Sequence, residues 1–258
     1  MIGEVAGVAV VDDTVVRVRN VTKSFGGIRA VDDVSFEVRR GEILGVIGPN
    51  GCGKTTLFNC ILGQYRADGG GVELHGRDVS SWRPHQRSKA GLARTFQQLQ
   101  VFESMTVRDN LKTAAQEHLG TMTRRLFRRP DLGLDGRIDE LVERFRLGRV
   151  ADERAANLSY GQQKLLDTAM AFVSDPAVVF LDEPAGGVNP TMIADLRELI
   201  GDLNRRDGMT FAVVEHNMEF IFGLAHRIVV LEQGRVLMTG TPDEVRADPR
   251  VLEVYLGG

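Results

Sequence analysis

Residues 48–55 read Gly48-Pro49-Asn50-Gly51-Cys52-Gly53-Lys54-Thr55 and follow a five-residue apolar run, Ile43 to Ile47. That run is apolar on both faces, as a central strand covered on both sides would be. After the glycines, Leu57 with Ile61 and Phe58 with Leu62 stand at i,i+4 spacing, which predicts a helix from about 53 to 62 stopped by Gly63. Buried strand, glycine loop and helix in this order form the setting of a phosphate-binding loop. The glycines let successive N–H groups turn inward around phosphate oxygens, and the helix N-terminus adds partial positive charge. Lys54 then reaches the β and γ phosphates, Thr55 can ligate magnesium, and Thr56 adds a hydroxyl. A chance glycine turn would instead leave a buried lysine without an anionic partner, which is costly.

The rest of the chain fits an α/β layout with a mostly parallel sheet. Val16, Val18 and Val21, and then Val34, Phe36 and Val38, alternate with polar residues as half-exposed antiparallel strands do. A Gly-Gly-Gly turn at 69–71 and a His75-Gly76 turn are expected to bracket another short strand. The stretch Val107 to Ala156 is helix-prone, with a basic, then glycine-rich middle at 121–136. Val178 to Leu181 and Phe211 to Val214 read as buried strands around a helix beginning near Pro190, and Ile228 to Leu231 as a last one. Thr241-Pro242-Asp243-Glu244 is a capping box opening a C-terminal helix.

Two of these strands end in chemistry. Asp182 and Glu183 close the run Val178 to Leu181, at the sheet edge where α/β ligands bind. Asp182 can hold magnesium, and Glu183 can polarise the water that attacks a γ phosphate. His216 follows Val213-Val214-Glu215 in the same way and becomes a candidate γ-phosphate contact. Composition narrows the partners. With 35 acidic residues against 32 Lys and Arg in 258, charge-driven nucleic acid binding is not expected. Two cysteines, Cys52 and Cys60, suit free thiols in a reducing compartment. The N-terminal MIGEVAGVAVVDD lacks the basic start of a signal peptide. No apolar run approaches the roughly 20 residues that cross a bilayer, so any membrane role is expected to be peripheral.

Further motifs give the chain a family likeness. Leu158-Ser159-Tyr160-Gly161-Gln162-Gln163 resembles the signature of the nucleotide-binding subunits of ATP-binding cassette (ABC) transporters, which other phosphate-loop ATPases lack. Lys23-Ser24-Phe25-Gly26 is similar to the family's adenine-stacking segment, and Thr95-Phe96-Gln97 to its Q-loop. The resemblance implies an ABC ATPase fold: one nucleotide-binding domain with a β subdomain and phosphate-loop core at about 14–96, a helical subdomain at 97–160, core again at 161–240 and a C-terminal helix at 241–258. It further implies ATP and Mg2+ as ligands, Phe25 on the adenine, and Gln97 as a magnesium or water contact that reports to the permease. Ser159 and Gly161 would then contact the nucleotide of an opposite subunit. Each has a plainer alternative: Phe25 as a packed aromatic, Gln97 as a surface residue, Ser159 as a helix N-cap.

The Arg94-Thr95-Phe96-Gln97 form, the insertion after Leu111, the Tyr-Gly-Gln-Gln signature, Asn189-Pro190 and the C-terminal Val254-Tyr255-Leu256-Gly257 resemble the ATPases of branched-chain amino acid importers. Implied partners are a second ATPase subunit, identical or sister, two transmembrane permease subunits and, indirectly, a substrate-binding protein, at the cytoplasmic face of the membrane. Urea, amide or lipid transporters, and soluble ABC ATPases, are the alternatives. The chain departs from the commonest pattern at Tyr160, Asn189, Cys52 and Met170. Asn189 also reads as a helix cap, and Cys52 as a place where oxidation or alkylation would block ATP. Arg124, Arg125, Arg128 and Arg129 would form an i,i+4 stripe, either a solvated face or a contact for anionic lipid or a permease loop.

Overall fold

The computed structural model describes residues 13–95, 99–116 and 133–256. Strands β1 (Thr14–Phe25) and β2 (Ile28–Arg39) form a long antiparallel hairpin, with Val16, Val18, Val21, Val34 and Val38 buried. Next come β3 (Ile43–Ile47), α1 (Lys54–Ile61), β4 (Gly69–Leu74) and β5 (Arg77–Asp78). The glycine triplet is not a turn. Gly69, Gly70 and Gly71 lie inside β4, and Gly70, at φ +73°, sits where the register against β1 shifts between Arg19 and Thr22. Helix α2 (Pro84–Lys89) and the three-residue β6 (Leu92–Arg94) follow, then α3 (Val107–Gln116) and α4 (Leu134–Arg144). Most of the basic middle segment, including Arg124, Arg125, Arg128 and Arg129, lies outside the described residues.

The second half holds α5 (Tyr160–Phe172), β7 (Val178–Asp182), α6 (Pro190–Asp207), β8 (Phe211–Val214), α7 (Met218–Phe222), β9 (Arg227–Glu232) and β10 (Arg235–Gly240). The capping box forms as expected: Thr241 accepts from Glu244 N–H, and the Glu244 carboxylate accepts from Thr241. The helix that it opens, α8 (Pro242–Ala247), is short, and a second, α9 (Pro249–Leu256), starts at a proline that cannot continue the first.

Two sheets result among the described residues. One is antiparallel, in the order β2-β1-β4-β5. The other runs β10-β9-β3-β8-β7-β6, parallel from β9 to β6 with β10 antiparallel at its edge. Alternation splits its strands between two hydrophobic cores. Ile43, Val179, Phe211 and Ile228 join a core with the helices α3 to α6. Leu44, Val178, Ala212 and Val229 join another with α1 and the antiparallel sheet. The strand ends Ile47, Asp182 and Val214 therefore share one edge.

Asn189 is the N-cap of α6, accepting from Met192 N–H at 2.9 Å, with Pro190 in the first turn. Asn189→Ala is expected to cost about 1 kcal/mol and to lower the melting temperature by about 2–4 °C for a chain of this size. An unchanged thermal melt would show that the cap contributes nothing.

Candidate nucleotide site

The glycine loop leaves β3 and enters α1 at Gly53, whose φ of +103° only glycine adopts readily. A Cβ there would stand 2.1 Å from the Ala30 carbonyl oxygen. No side chain caps α1, so the first-turn N–H groups remain available to an anion. Cys52 N–H donates to the Pro49 carbonyl at 3.3 Å, and Gly234 N–H to the Cys52 carbonyl at 3.0 Å, tying the loop to the turn after β9. Lys54 is buried, its Nζ donating to the carbonyls of Gly48 at 2.7 Å and Pro49 at 2.9 Å. The loop thus curls around its own lysine. Thr55 is exposed and Thr56 half-buried in the first turn of α1.

Cys52 is buried, and burial pushes its thiol up despite the nearby Lys54 ammonium. A raised, covered thiol supplies little thiolate, which weighs against ready oxidation or alkylation. Cys60 is likewise buried, its pKa pushed up to about 11.

At the end of β7, Asp182 is 3% exposed and accepts from Arg94 Nη2 at 2.7 Å. The other end of that guanidinium donates to Asn59 Oδ1 on α1 at 2.6 Å. Arg94 and Asn59 thereby join three elements around the carboxylate. Glu183 adopts a left-handed φ of +50°, a conformation that costs a non-glycine residue about 1 kcal/mol and that recurs at functional sites. Its N–H donates to Val214 O at 2.9 Å, holding the turn against β8. His216 Nδ1 lies 3.9 Å from Glu183 Oε1, with the imidazole 56% exposed. Glu215, fully buried, accepts from Ala185 N–H at 2.7 Å and from His216 and Asn217 N–H at 3.0 Å each. On α5, Lys164 is buried; burial lowers its pKa against the pull of Asp167, Glu215, Glu183 and Asp182.

Phe25 ends β1 at 43% exposure, its ring edge-on to Tyr65 at 5.3 Å and 5.3 Å from Lys23 Nζ. Ser159 is exposed and caps α5, accepting from Gln162 N–H at 3.3 Å while Gln162 Oε1 accepts from Ser159 N–H at 3.0 Å. Gly161 is buried, and a Cβ there would meet Met192 Cε at 2.2 Å. Gln97 lies outside the described residues. Beyond Arg94 and Gln100, which flank it in sequence, a cleft of about 710 Å³ separates α2 and β6 from α3 and α5, with Leu62, Leu92, Phe102, Ala114 and Met170 in its walls.

The structure brings the phosphate loop, Asp182, Glu183 and His216 together on one sheet edge. It leaves Ser159 and Gly161 at the start of a separate helix. Sequence reasoning missed Glu215, Lys164, Asn59 and Tyr65, and took Arg94 only as part of a motif. A single signal pointed to Glu215, an acidic residue between a buried strand and a candidate histidine.

Comparison with known proteins identifies the family. Residues 31–186 match the family model described as ABC transporter, and 235–258 that described as branched-chain amino acid ATP-binding cassette transporter. The chain is 40% identical over 239 residues to the high-affinity branched-chain amino acid transport ATP-binding protein LivG of Salmonella typhimurium, covering 90% of this chain and 94% of the relative. It is 36% identical over 249 residues to the corresponding protein BraF of Pseudomonas aeruginosa, covering 94% and 98%. Among solved structures, a nucleotide-free ATP-binding cassette from an ABC transporter superposes with a TM-score of 0.82 at 30% identity, covering 95% of this chain and 100% of that one. An ATP-binding cassette in its ADP conformation matches equally well, with a TM-score of 0.82, 30% identity, and coverage of 95% and 99%. By its family-model match, its relatives and its fold, the chain belongs to the ABC transporter family, as one of its ATP-binding, ATP-hydrolysing subunits.

Proposed function

We propose that this chain powers the uptake of branched-chain or related amino acids by hydrolysing ATP at the edge of its parallel sheet. The observation that carries the chemistry is the convergence of Lys54, Asp182, Glu183 and His216 on that edge. The substrate class rests on the LivG and BraF relatives and on the C-terminal match at 235–258. In this reading the backbone N–H groups of the loop after Pro49 and the Lys54 ammonium cradle the phosphates, with Thr56 beside them and the adenine resting on Phe25. Glu183 orients and deprotonates the attacking water, and His216 contacts the γ phosphate.

Thr55 and Asp182 are the residues we assign to magnesium, with Gln97 as a further contact. A hydroxyl and a buried carboxylate are hard oxygen donors that suit an ion keeping waters and substrate phosphates as its other ligands. Among the described residues, no group of three or more His, Cys, Asp or Glu offers an all-protein cage. When bound, the ion neutralises charge on the phosphate oxygens. Arg94 meanwhile holds Asp182 in place.

Two such domains would close on two ATP molecules, Ser159 and Gly161 of each serving the nucleotide of the other. Ser159 caps its own helix, so the same hydroxyl would stand among the positive N-terminal amides of α5, where an anion is favoured. The cleft beside Arg94 and Gln100 is our candidate for the surface that meets the two permease subunits on the inner face of the membrane. None of the helices among the described residues is long and apolar enough to cross a membrane. Proteoliposomes holding the permease pair and both ATPase subunits, given the external binding protein, are expected to accumulate labelled leucine only with internal Mg-ATP. ATP consumption with uptake of urea but not leucine would overturn the substrate.

A further inference from the structure

Glu215 is a fully buried carboxylate that the proposed chemistry does not use. Both of its oxygens are committed to backbone donors. Oε1 accepts from Ala185 N–H at 2.7 Å, two residues beyond Glu183, and Oε2 accepts from His216 and Asn217 N–H at 3.0 Å. One side chain therefore bridges the turn after β7, which carries Glu183, and the turn after β8, which carries His216. A carboxylate suits three converging donors because it only accepts, whereas an amide must turn an NH2 toward at least one of them. The bridge also spans strained backbone: Glu183 holds a left-handed φ, and Gly186 N–H closes the turn onto the Glu183 carbonyl at 3.0 Å.

We propose that Glu215 is a positioning residue for hydrolysis, fixing the separation of Glu183 and His216 by tying their two turns to one carboxylate. The proposal rests on the assignment of Glu183 and His216 to the reaction. Glu215 itself touches no substrate in this account. It acts on where the water-orienting carboxylate and the imidazole stand, so its loss is felt in the chemical step and not in nucleotide affinity. A displacement of about 1 Å between reacting groups can cost on the order of 100-fold.

The test is a kinetic cycle on the full chain, with its sister subunit if turnover requires one, using Glu215→Gln, His216→Ala and the double variant. Glu215→Gln is expected to lower kcat by about 10- to 100-fold with KM for ATP within about twofold of native. In the His216→Ala background the same change is expected to lower kcat by less than about threefold, because both act through one arrangement. Full multiplication of the two losses, or equal loss of ATP binding and kcat, would mean a general structural role and overturn the proposal. His216→Ala with native turnover would instead remove the underlying assignment, so the two failures are distinguishable. Should the Gln variant not fold, Glu215→Asp keeps the charge and the adjacent amides but is one methylene short of Ala185. It is expected to bind ATP like the native chain and to show the same kcat loss, and native kcat in that variant would overturn the bridge.

Discussion

Glu183→Gln is expected to abolish Mg-ATP turnover, by about 10²- to 10⁴-fold, while leaving ATP binding intact. The amide preserves the volume and the left-handed turn held by the Val214 carbonyl, since that bond comes from the backbone. It removes the group that can take a proton from water, together with the negative charge facing His216 and Lys164. ATP that binds but is not consumed should hold the closed form, so size-exclusion chromatography with ATP is expected to show a dimer that the native chain keeps only transiently. Turnover within about threefold of native would assign the proton transfer elsewhere. If the native chain is silent alone, the comparison belongs in the complex with its sister subunit.

Lys54→Ala is the second large effect. In the structure the Lys54 ammonium is buried and bonded to the Gly48 and Pro49 carbonyls. A phosphate would draw that charge outward into a charge-assisted bond, each worth about 1.5–3 kcal/mol, so its removal should weaken ATP by about 10- to 150-fold. Titration calorimetry measures this directly. A thermal melt without nucleotide separates the loss from slackening of the loop, because the two carbonyls also lose their partner. Unchanged ATP affinity would disprove the role assigned to Lys54.

The parallel strands were legible because each is apolar on both faces, as Ile43 to Ile47 and Phe211 to Val214 are, and the glycine loop then places α1. Capping chemistry announced Thr241 and Asn189. Leu92–Arg94 is too short to carry a period, and Gly69–Gly71 reads as a turn until β1 is available to pair with it. Within the site, the motif residues could be found individually, at strand ends or helix starts. The bridging role of Glu215 could not, because its donors come from two turns that meet only after folding. The same holds for Arg94, whose partners Asn59 and Asp182 are 35 and 88 residues away. Trans contacts of Ser159 and Gly161 need a second chain, so a single sequence can suggest them only by likeness.

The two cores that share one sheet turn its edge into a ruler. β3 lies beside β8, and β8 beside β7, each locked above and below by alternate side chains. Strand spacing of about 4.8 Å then sets the intervals between the strand ends from which the glycine loop, His216 and Glu183 hang, and backbone hydrogen bonding enforces that spacing up to the last paired residues. Engineering a faster or slower motor from this chain accordingly offers little purchase in the strands. Its adjustable parts are the turns hung on their ends, where one buried carboxylate or one arginine decides how far neighbouring marks on the scale may drift.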